Sequence, residues 1–237
     1  MDEMLDERFP ELLESLLLHW DKILRLDSVA LPARSFTVLP EFFGELVALT
    51  HVFLFNNRLA ALPRSFVQLE NLMTLSLSNN EITRLPENFG QLSRLENLQL
   101  DNNLLIMLPE SFGQLLELEV LNLEHNRLER LPDSFAQLVC LQTLDLSHNA
   151  FRSLPDDLGE LQALKFLNLR FNFLARLSNS FCELVFLCEL DLSYNELIEL
   201  PQNMGQLQAL QLINLDYNQI QRMPVSMRSI EALRYRW

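Results

Sequence analysis

Residues 131–149 read LPDSFAQLVCLQTLDLSHN, and they contain both halves of a unit that recurs along the chain. In the second half Leu144 and Leu146 alternate with polar residues, and a period of two predicts a short strand with one buried face. In the first half Pro132 is followed by Phe135 and Leu138 at three-residue spacing. Such spacing after a proline predicts a short helical or 3-10 turn.

The unit recurs every 23 residues, with no insertion from Leu39 onward. One phase carries Leu-Pro at Leu39-Pro40, Leu62-Pro63, Leu85-Pro86, Leu108-Pro109, Leu131-Pro132, Leu154-Pro155 and Leu200-Pro201, with Leu177-Ser178 and Met223-Pro224 as variants. Another carries Asn57, Asn80, Asn103, Asn126, Asn149, Asn172, Asn195 and Asn218. Because one unit cannot bury its own leucines, the units must stack and share one core. We expect each asparagine to bond the backbone of its own turn and the next, and the phenylalanines to stack in a second row.

The pattern Leu-x-x-Leu-x-Leu-x-x-Asn-x-Leu resembles the leucine-rich repeat family over residues 26–237. This resemblance implies an α/β fold, a right-handed solenoid with a curved parallel sheet on its concave side and short helical or 3-10 turns on its convex side. The 23-residue Leu-Pro-x-x-Phe type is similar to the intracellular Ras-group repeats of eukaryotes and to cytosolic or host-delivered repeat proteins of bacteria. It implies scaffold or adaptor roles, in some members toward small GTPases.

The start of the chain departs from the repeat. Residues 26–38 form a degenerate first repeat, in which Arg34 stands at the asparagine phase. Residues 1–25 carry apolar side chains at three- and four-residue intervals, which predicts an amphipathic helix. We interpret this helix as an N-terminal cap over the first strand, and a docking helix for a partner is the alternative.

The end of the array departs from it as well. Eight full repeats occupy residues 39–222, and residues 223–237 form a partial last repeat. There Arg236 stands where the next buried leucine belongs. Either the stack ends at a solvated edge, or Tyr235 and Trp237 help a partner to cover it.

Composition excludes several classes of protein. The 237 residues carry a formal net charge of -14, which disfavours nucleic acid and anionic membrane surfaces as partners. No apolar run approaches the ~20 residues of a membrane span, and the acidic N-terminus is unlike a secretory signal. A cytoplasmic location is therefore predicted, with secretion into a host cell as the alternative if the source is bacterial.

The sequence offers no convincing catalytic or metal-binding constellation. Cys182 and Cys140 are predicted to be small core or half-buried residues. His125 and His148 occupy one phase of consecutive repeats, near Glu124 and Asp145. A surface metal site is one interpretation, although such pairs more often lie beside solvent without a metal. We predict a non-enzyme with no cofactor and no metal.

The residues between the buried leucines are predicted to face the concave side. The phase before the asparagine changes along the chain from Asn56, Asn79 and Asn102, through His125 and His148, to Phe171, Tyr194 and Tyr217. Exposed aromatic residues beside an arginine are typical of protein-binding surfaces. The predicted site comprises Phe166, Arg170, Phe171, Glu189, Asp191, Tyr194, Leu212, Asp216 and Tyr217. A smaller patch lies at His51, Phe53 and Phe55.

These residues predict an interaction module that binds a protein or peptide with an apolar anchor and basic flanks. An inhibitor that covers the site of a partner enzyme is the alternative. A host-delivered bacterial effector that acts by binding is a variant of both hypotheses.

Overall fold

The computed structural model describes residues 24–236, so the predicted cap helix lies almost entirely outside the described residues. The described chain forms ten strands of three residues each. They are β1 (Ser28–Ala30), β2 (His51–Phe53), β3 (Thr74–Ser76), β4 (Asn97–Gln99), β5 (Val120–Asn122), β6 (Thr143–Asp145), β7 (Phe166–Asn168), β8 (Glu189–Asp191), β9 (Leu212–Asn214) and β10 (Arg234–Arg236). All ten form one parallel sheet in sequence order.

Short 3-10 helices alternate with the strands. They span Glu41–Glu45, Arg64–Gln68, Phe89–Gln91, Glu110–Gln114, Phe135–Gln137, Leu158–Glu160, Asn179–Glu183, Met204–Gln206 and Val225–Ser229. In each repeat a carbonyl at the proline phase accepts a hydrogen bond from the amide three residues later, as Pro109 does from Phe112. Proline supplies the fixed φ of the first turn and needs no amide partner there. The predicted turns are therefore 3-10 throughout the described part of the chain.

Leucine side chains fill the space between the strands and the 3-10 helices. Leu144 and Leu146 are both buried, as are their counterparts in the other central repeats. Behind them the phenylalanines form the predicted second row, with parallel rings at 6.1 Å for Phe89–Phe112 and 6.2 Å for Phe112–Phe135. Each repeat thus buries its apolar face against its two neighbours.

The repeated asparagines form a ladder of side-chain-to-backbone hydrogen bonds. Asn126 donates from Nδ2 to the carbonyls of Leu100 at 2.9 Å and Leu123 at 3.1 Å, and its Oδ1 accepts from the amide of Leu105 at 3.0 Å. The asparagine ladder is present as predicted, but the expectation that each side chain bonds the next repeat was wrong. Each asparagine bonds its own turn and the preceding repeat, because its side chain points toward the N-terminal neighbour.

Glycine and serine form pairs between adjacent repeats. A Cβ atom on Gly113 would lie 2.2 Å from the carbonyl oxygen of Ser134, 21 residues later. Only glycine allows this approach, and the Gly113 amide donates to Ser134 Oγ at 3.2 Å. The same contact joins Gly44–Ser65, Gly90–Ser111, Gly159–Ser180 and Gly205–Ser226.

The last strand corrects the prediction for the C-terminal edge. From β1 to β9 paired residues are 23 apart, but Tyr235 pairs with Ile213 and Arg236 with Asn214. Tyr235 therefore takes the position predicted for Arg236, because the turn before β10 is one residue shorter. Tyr235 lies on the outermost strand of the described sheet and is 56% exposed.

The predictions of burial for two cysteines, Cys182 and Cys140, had different outcomes. Cys182 is buried at the glycine phase, as predicted. Cys140 is exposed, so that prediction was wrong. It lies in the turn before β6, at a phase that Arg94 and Glu117 occupy in earlier repeats.

No helix within residues 24–236 is long and apolar enough to cross a membrane.

Candidate functional site

Five aromatic rings stack along one edge of the sheet face. Their centroids are 3.9 Å apart for His125–His148, 4.4 Å for His148–Phe171, 4.1 Å for Phe171–Tyr194 and 4.2 Å for Tyr194–Tyr217. We call His125, His148, Phe171, Tyr194 and Tyr217 the ring ladder. The parallel strands set this spacing, because equivalent residues of neighbouring strands lie ~4.8 Å apart.

All members of the ring ladder have a left-handed backbone, with φ between 52° and 57°. They lie in the turn that follows each strand, directly before the ladder asparagine. Asn56, Asn79 and Asn102 adopt the same conformation in the first repeats. Asparagine and histidine tolerate left-handed φ, whereas phenylalanine and tyrosine rarely adopt it. Phe171, Tyr194 and Tyr217 are therefore held in a conformation that asparagine would adopt more easily.

Arg170 lies across the centre of the ring ladder. Its guanidinium carbon is 4.6 Å from the centre of the Phe171 ring and 5.2 Å from that of Tyr194. The equivalent residues on either side, Ser147 and Ser193, are small and buried. This leaves room for the arginine to lie flat on the rings, where a cation is attracted to the π face.

Beside the ring ladder, the exposed sheet face forms a shallow hollow of about 480 Å³ across strands β6 to β10. Phe166 and Leu212 expose apolar surface here, at 42% each. Glu189 and Asp191 line the same hollow. We call this the acidic hollow, since the carboxylates of Asp145, Glu189 and Asp191 line it and outnumber its single guanidinium, that of Arg236.

The carboxylate of Asp191 has a structural role that the sequence analysis missed. Its Oδ1 accepts hydrogen bonds from the amide of Ser193 at 2.8 Å and from Ser193 Oγ at 2.6 Å. Asp145 and Ser147 make the same pair of bonds. The recurring Asp-x-Ser spacing is the signal that predicts this turn. These bonds from Ser193 fix the position of the Asp191 carboxylate in the acidic hollow.

Hydrogen bonding and burial shift three pKa values around the ring ladder. A hydrogen bond with Tyr217 raises the pKa of the Tyr194 phenol, which favours its neutral form. Burial, together with the charge of Asp145, raises the pKa of Glu124. Burial, together with His125, lowers the pKa of His148, so this imidazole favours the neutral form.

The structure divides the nine predicted site residues between two adjoining surfaces. Phe171, Tyr194 and Tyr217 belong to the ring ladder, Arg170 lies across it, and Asp216 lies next to it. Phe166, Glu189, Asp191 and Leu212 line the acidic hollow. Phe173 lies one residue beyond the ladder asparagine, and the guanidinium carbon of Arg152 is 5.5 Å from the centre of its ring.

The N-terminal end of the ring ladder is where side chains could hold a metal. Donor atoms of Glu124, His125 and His148 lie within 4.8 Å of one another. Sequence analysis named these residues but predicted no metal.

With this geometry established, comparison with known proteins identifies the class. The family model described as Leucine rich repeat matches residues 47–105, 107–151 and 141–197. These segments cover more than half of the chain, and the chain belongs to the leucine-rich repeat family. No curated protein matches at a significant level.

Several solved structures are similar. A leucine-rich repeat protein of Leptospira interrogans is 36% identical, with a TM-score of 0.66 over 84% of this chain and 57% of its own. The chain thus spans little more than half the length of that relative. The plant peptide hormone receptor RGFR1, in complex with RGF2, is 28% identical, with a TM-score of 0.71 over 84% of this chain and 37% of its own.

Two further structures extend the range of relatives. A chain of the Toll–Spatzle complex of Drosophila is 29% identical, with a TM-score of 0.75 over 84% of this chain and 29% of its own. An internalin of Listeria monocytogenes is 20% identical, with a TM-score of 0.77 over 89% of this chain and 60% of its own, which shows the shared fold alone. The Leu-Pro-x-x-Phe subtype stays a prediction.

Proposed function

We propose that this chain is a non-catalytic interaction module that binds a protein or peptide on the exposed sheet face of its C-terminal half. The ring ladder carries this proposal. A left-handed φ at a non-glycine residue costs of order 1 kcal/mol, and asparagine relieves part of that cost in the first three repeats. Next to the acidic hollow, Phe171, Tyr194 and Tyr217 occupy the phase that asparagine occupies in the first repeats. Backbone strain of this kind is typical of functional surfaces.

The neighbouring surfaces support a ligand with two chemical features. The apolar patches of Phe166 and Leu212 accept an apolar anchor, since burying such a side chain gains ~1.5–3 kcal/mol. Glu189 and Asp191 attract a lysine or arginine placed beside the anchor. Arg170 adds a guanidinium that can pair with a carboxylate of the ligand. We therefore propose a ligand that is mainly apolar and basic, with one acidic residue facing Arg170.

Two of the similar structures support protein ligands in general. One has a peptide hormone receptor in complex with RGF2, and the other has Toll with Spatzle. These ligands belong to those proteins. For this chain a scaffold role, a small GTPase partner and a cytoplasmic location stay predictions.

A peptide library displayed on phage tests the proposal directly. The variant Phe171→Asn, Tyr194→Asn, Tyr217→Asn gives each position the residue of Asn56, Asn79 and Asn102, so the turns keep a conformation the fold already uses. The matched control Phe53→Ser, Phe55→Ser removes two aromatic residues from the other end and inserts those of Ser76 and Ser78. We expect selected peptides to combine an apolar residue with lysine or arginine, and to bind wild type and control but not the triple variant.

Two outcomes would contradict the proposal. Peptides that bind the triple variant as well as wild type would place the binding surface elsewhere. Failure of the library to enrich any sequence on the wild-type chain would argue against peptide binding by this face. Denaturant unfolding of all three proteins, compared in parallel, separates loss of binding from loss of fold.

A further inference from the structure

The N-terminal end of the ring ladder combines two imidazoles with a carboxylate. His125 Nε2 lies 3.6 Å from Glu124 Oε1, and His148 stacks on His125 in the closest contact of the ladder. We propose that Glu124, His125 and His148 form a site for one divalent transition-metal ion of the zinc type. This site is separate from the acidic hollow and does not depend on the proposed peptide binding.

The distances suit a single ion after a small adjustment. Zinc lies ~2.0–2.2 Å from imidazole nitrogen and carboxylate oxygen, so two ligand atoms of one ion lie within about 4 Å of each other. Here the three donor atoms lie within 4.8 Å. The side chains are exposed enough to close this difference, with 48% of His125 and 35% of Glu124 accessible.

Ring orientation predicts which side chains move when the ion binds. Imidazole lone pairs lie in the ring plane, and two rings inclined by only 19° do not yet direct them to one point. His148 is packed against Phe171 on its other face, at 4.4 Å. In the preceding repeat Asn102 occupies the same phase as His125. No ring within the described residues therefore covers the face of His125 that points away from His148. We therefore expect His148 to stay in place while His125 and Glu124 turn toward the ion.

Fixed charges around the cluster favour a cation. Asp101 and Asp145 both interact electrostatically with Glu124, and Arg170 opposes them. Both aspartates accept hydrogen bonds, Asp101 from Ser78 at 2.6 Å and Asp145 from Asn168 at 2.8 Å. They are held in place by these bonds and act as a negative field beside the ion. Glu124, by contrast, lies with its Oε1 3.6 Å from His125 Nε2 and is free to turn toward the ion.

The ligand chemistry determines the kind of ion. Two imidazole nitrogens and one carboxylate oxygen suit zinc, copper or nickel, whereas calcium and magnesium prefer oxygen ligands alone. Three protein ligands leave at least one position of a tetrahedral ion for water.

Calorimetric titration with zinc chloride, and visible absorption on addition of cobalt chloride, test the site on the full chain. The variants His125→Asn and His148→Asn insert the residue of Asn102, which keeps the left-handed turn. The matched control His51→Asn removes a histidine from β2, outside the cluster. We expect one equivalent of zinc for wild type and the control, and binding weaker by at least about tenfold in either cluster variant and in Glu124→Gln.

Three results would overturn the proposal. Zinc affinity that is equal in wild type and His125→Asn would place the ion elsewhere. Absence of saturable binding at micromolar zinc would exclude the site. Thiolate-to-cobalt charge-transfer absorption would assign the ion to a cysteine. The triple variant of the peptide experiment keeps all three ligands, so loss of peptide binding and loss of zinc binding are distinguishable.

Discussion

The guanidinium of Arg170 lies 4.6 Å from the centre of the Phe171 ring, one residue further along the chain. This contact holds a long, flexible cation flat on the sheet face, so that part of its conformational entropy is lost in folding and not in binding. The same rings therefore provide apolar surface and orient the charge beside it.

Replacing Phe171 by asparagine should change stability little. The substitution removes two ring contacts, worth ~0.5–1.5 kcal/mol each, and returns ~1 kcal/mol by relieving the left-handed φ. We expect the free energy of unfolding in urea to fall by less than about 2 kcal/mol. A loss well above that would show that the ring ladder is mainly a structural support, and would weaken the proposed function.

Replacing Asn126 by leucine should destabilise the chain by roughly 1–3 kcal/mol, because the buried amide of Leu105 loses its acceptor. The control Asn97→Leu changes the same residue type on the exposed sheet face, beside Val120. Urea denaturation of both variants measures the difference. Equal midpoints would mean that the asparagine ladder contributes nothing beyond ordinary packing.

Replacing Gly113 by alanine should cost ~1–3 kcal/mol, since the new methyl group would overlap the carbonyl of Ser134. Ala136 occupies the same phase one repeat later, and Ala136→Gly should cost only about 1 kcal/mol or less. Thermal melts of the two variants compare these costs. If Gly113→Ala melts at the wild-type temperature, the repeats can separate enough to admit the methyl group.

Acid should weaken the contact between Glu41 and the next repeat. Hydrogen bonds from the amides of Ser65 and Arg64 lower the pKa of Glu41 below its ordinary value of 4.5. A lowered pKa contributes stability that is present above pH 4.5 and is lost as pH falls through the folded-state pKa. Glu41→Gln should therefore reduce the acid dependence of the urea midpoint. The exposed Glu129→Gln serves as control, and identical slopes for both variants would contradict the assignment.

The thiols should differ sharply in reactivity. Cys140 is exposed, whereas burial raises the pKa of the Cys182 thiol to about 11. Only the thiolate attacks a disulfide reagent, so Ellman's reagent should modify Cys140 in the native protein and Cys182 only after unfolding. Cys140→Ser should remove the fast phase. A fast phase that survives this substitution would show that another thiol is accessible.

Sequence predicted the elements whose period repeats many times. The alternation at Leu144 and Leu146 predicted the strands, and the phase shared by Phe112 and Phe135 predicted the stacked second row. Both features depend on contacts between neighbouring repeats that carry the same residue types at the same phases. The strands, the core and the asparagine ladder were therefore predictable.

Features that occur once, or that depend on a turn, were not predicted. At Tyr235 a turn one residue shorter shifts the register, and a shift that occurs once leaves no repeated signal in the sequence. The Asp-x-Ser turns hold Asp145 and Asp191 through local hydrogen bonds, which hydrophobic periodicity does not detect. Asn56, Asn79 and Asn102 were the available signal for the left-handed turn, because asparagine is enriched at positive φ.

The contact between Gly113 and Ser134 limits how such an array can grow or shrink by recombination. Loss of residues 101–123, one period, would place Ser134 against Gly90 and recreate a matched pair. Loss of residues 124–146 would place Asp157 against Gly113, and the serine hydroxyl that bonds the glycine amide would be gone. Units that resemble one another are therefore not interchangeable, and duplications or deletions in this gene should be tolerated best where each glycine still faces a serine, or where a larger residue such as Ala136 faces a residue other than serine.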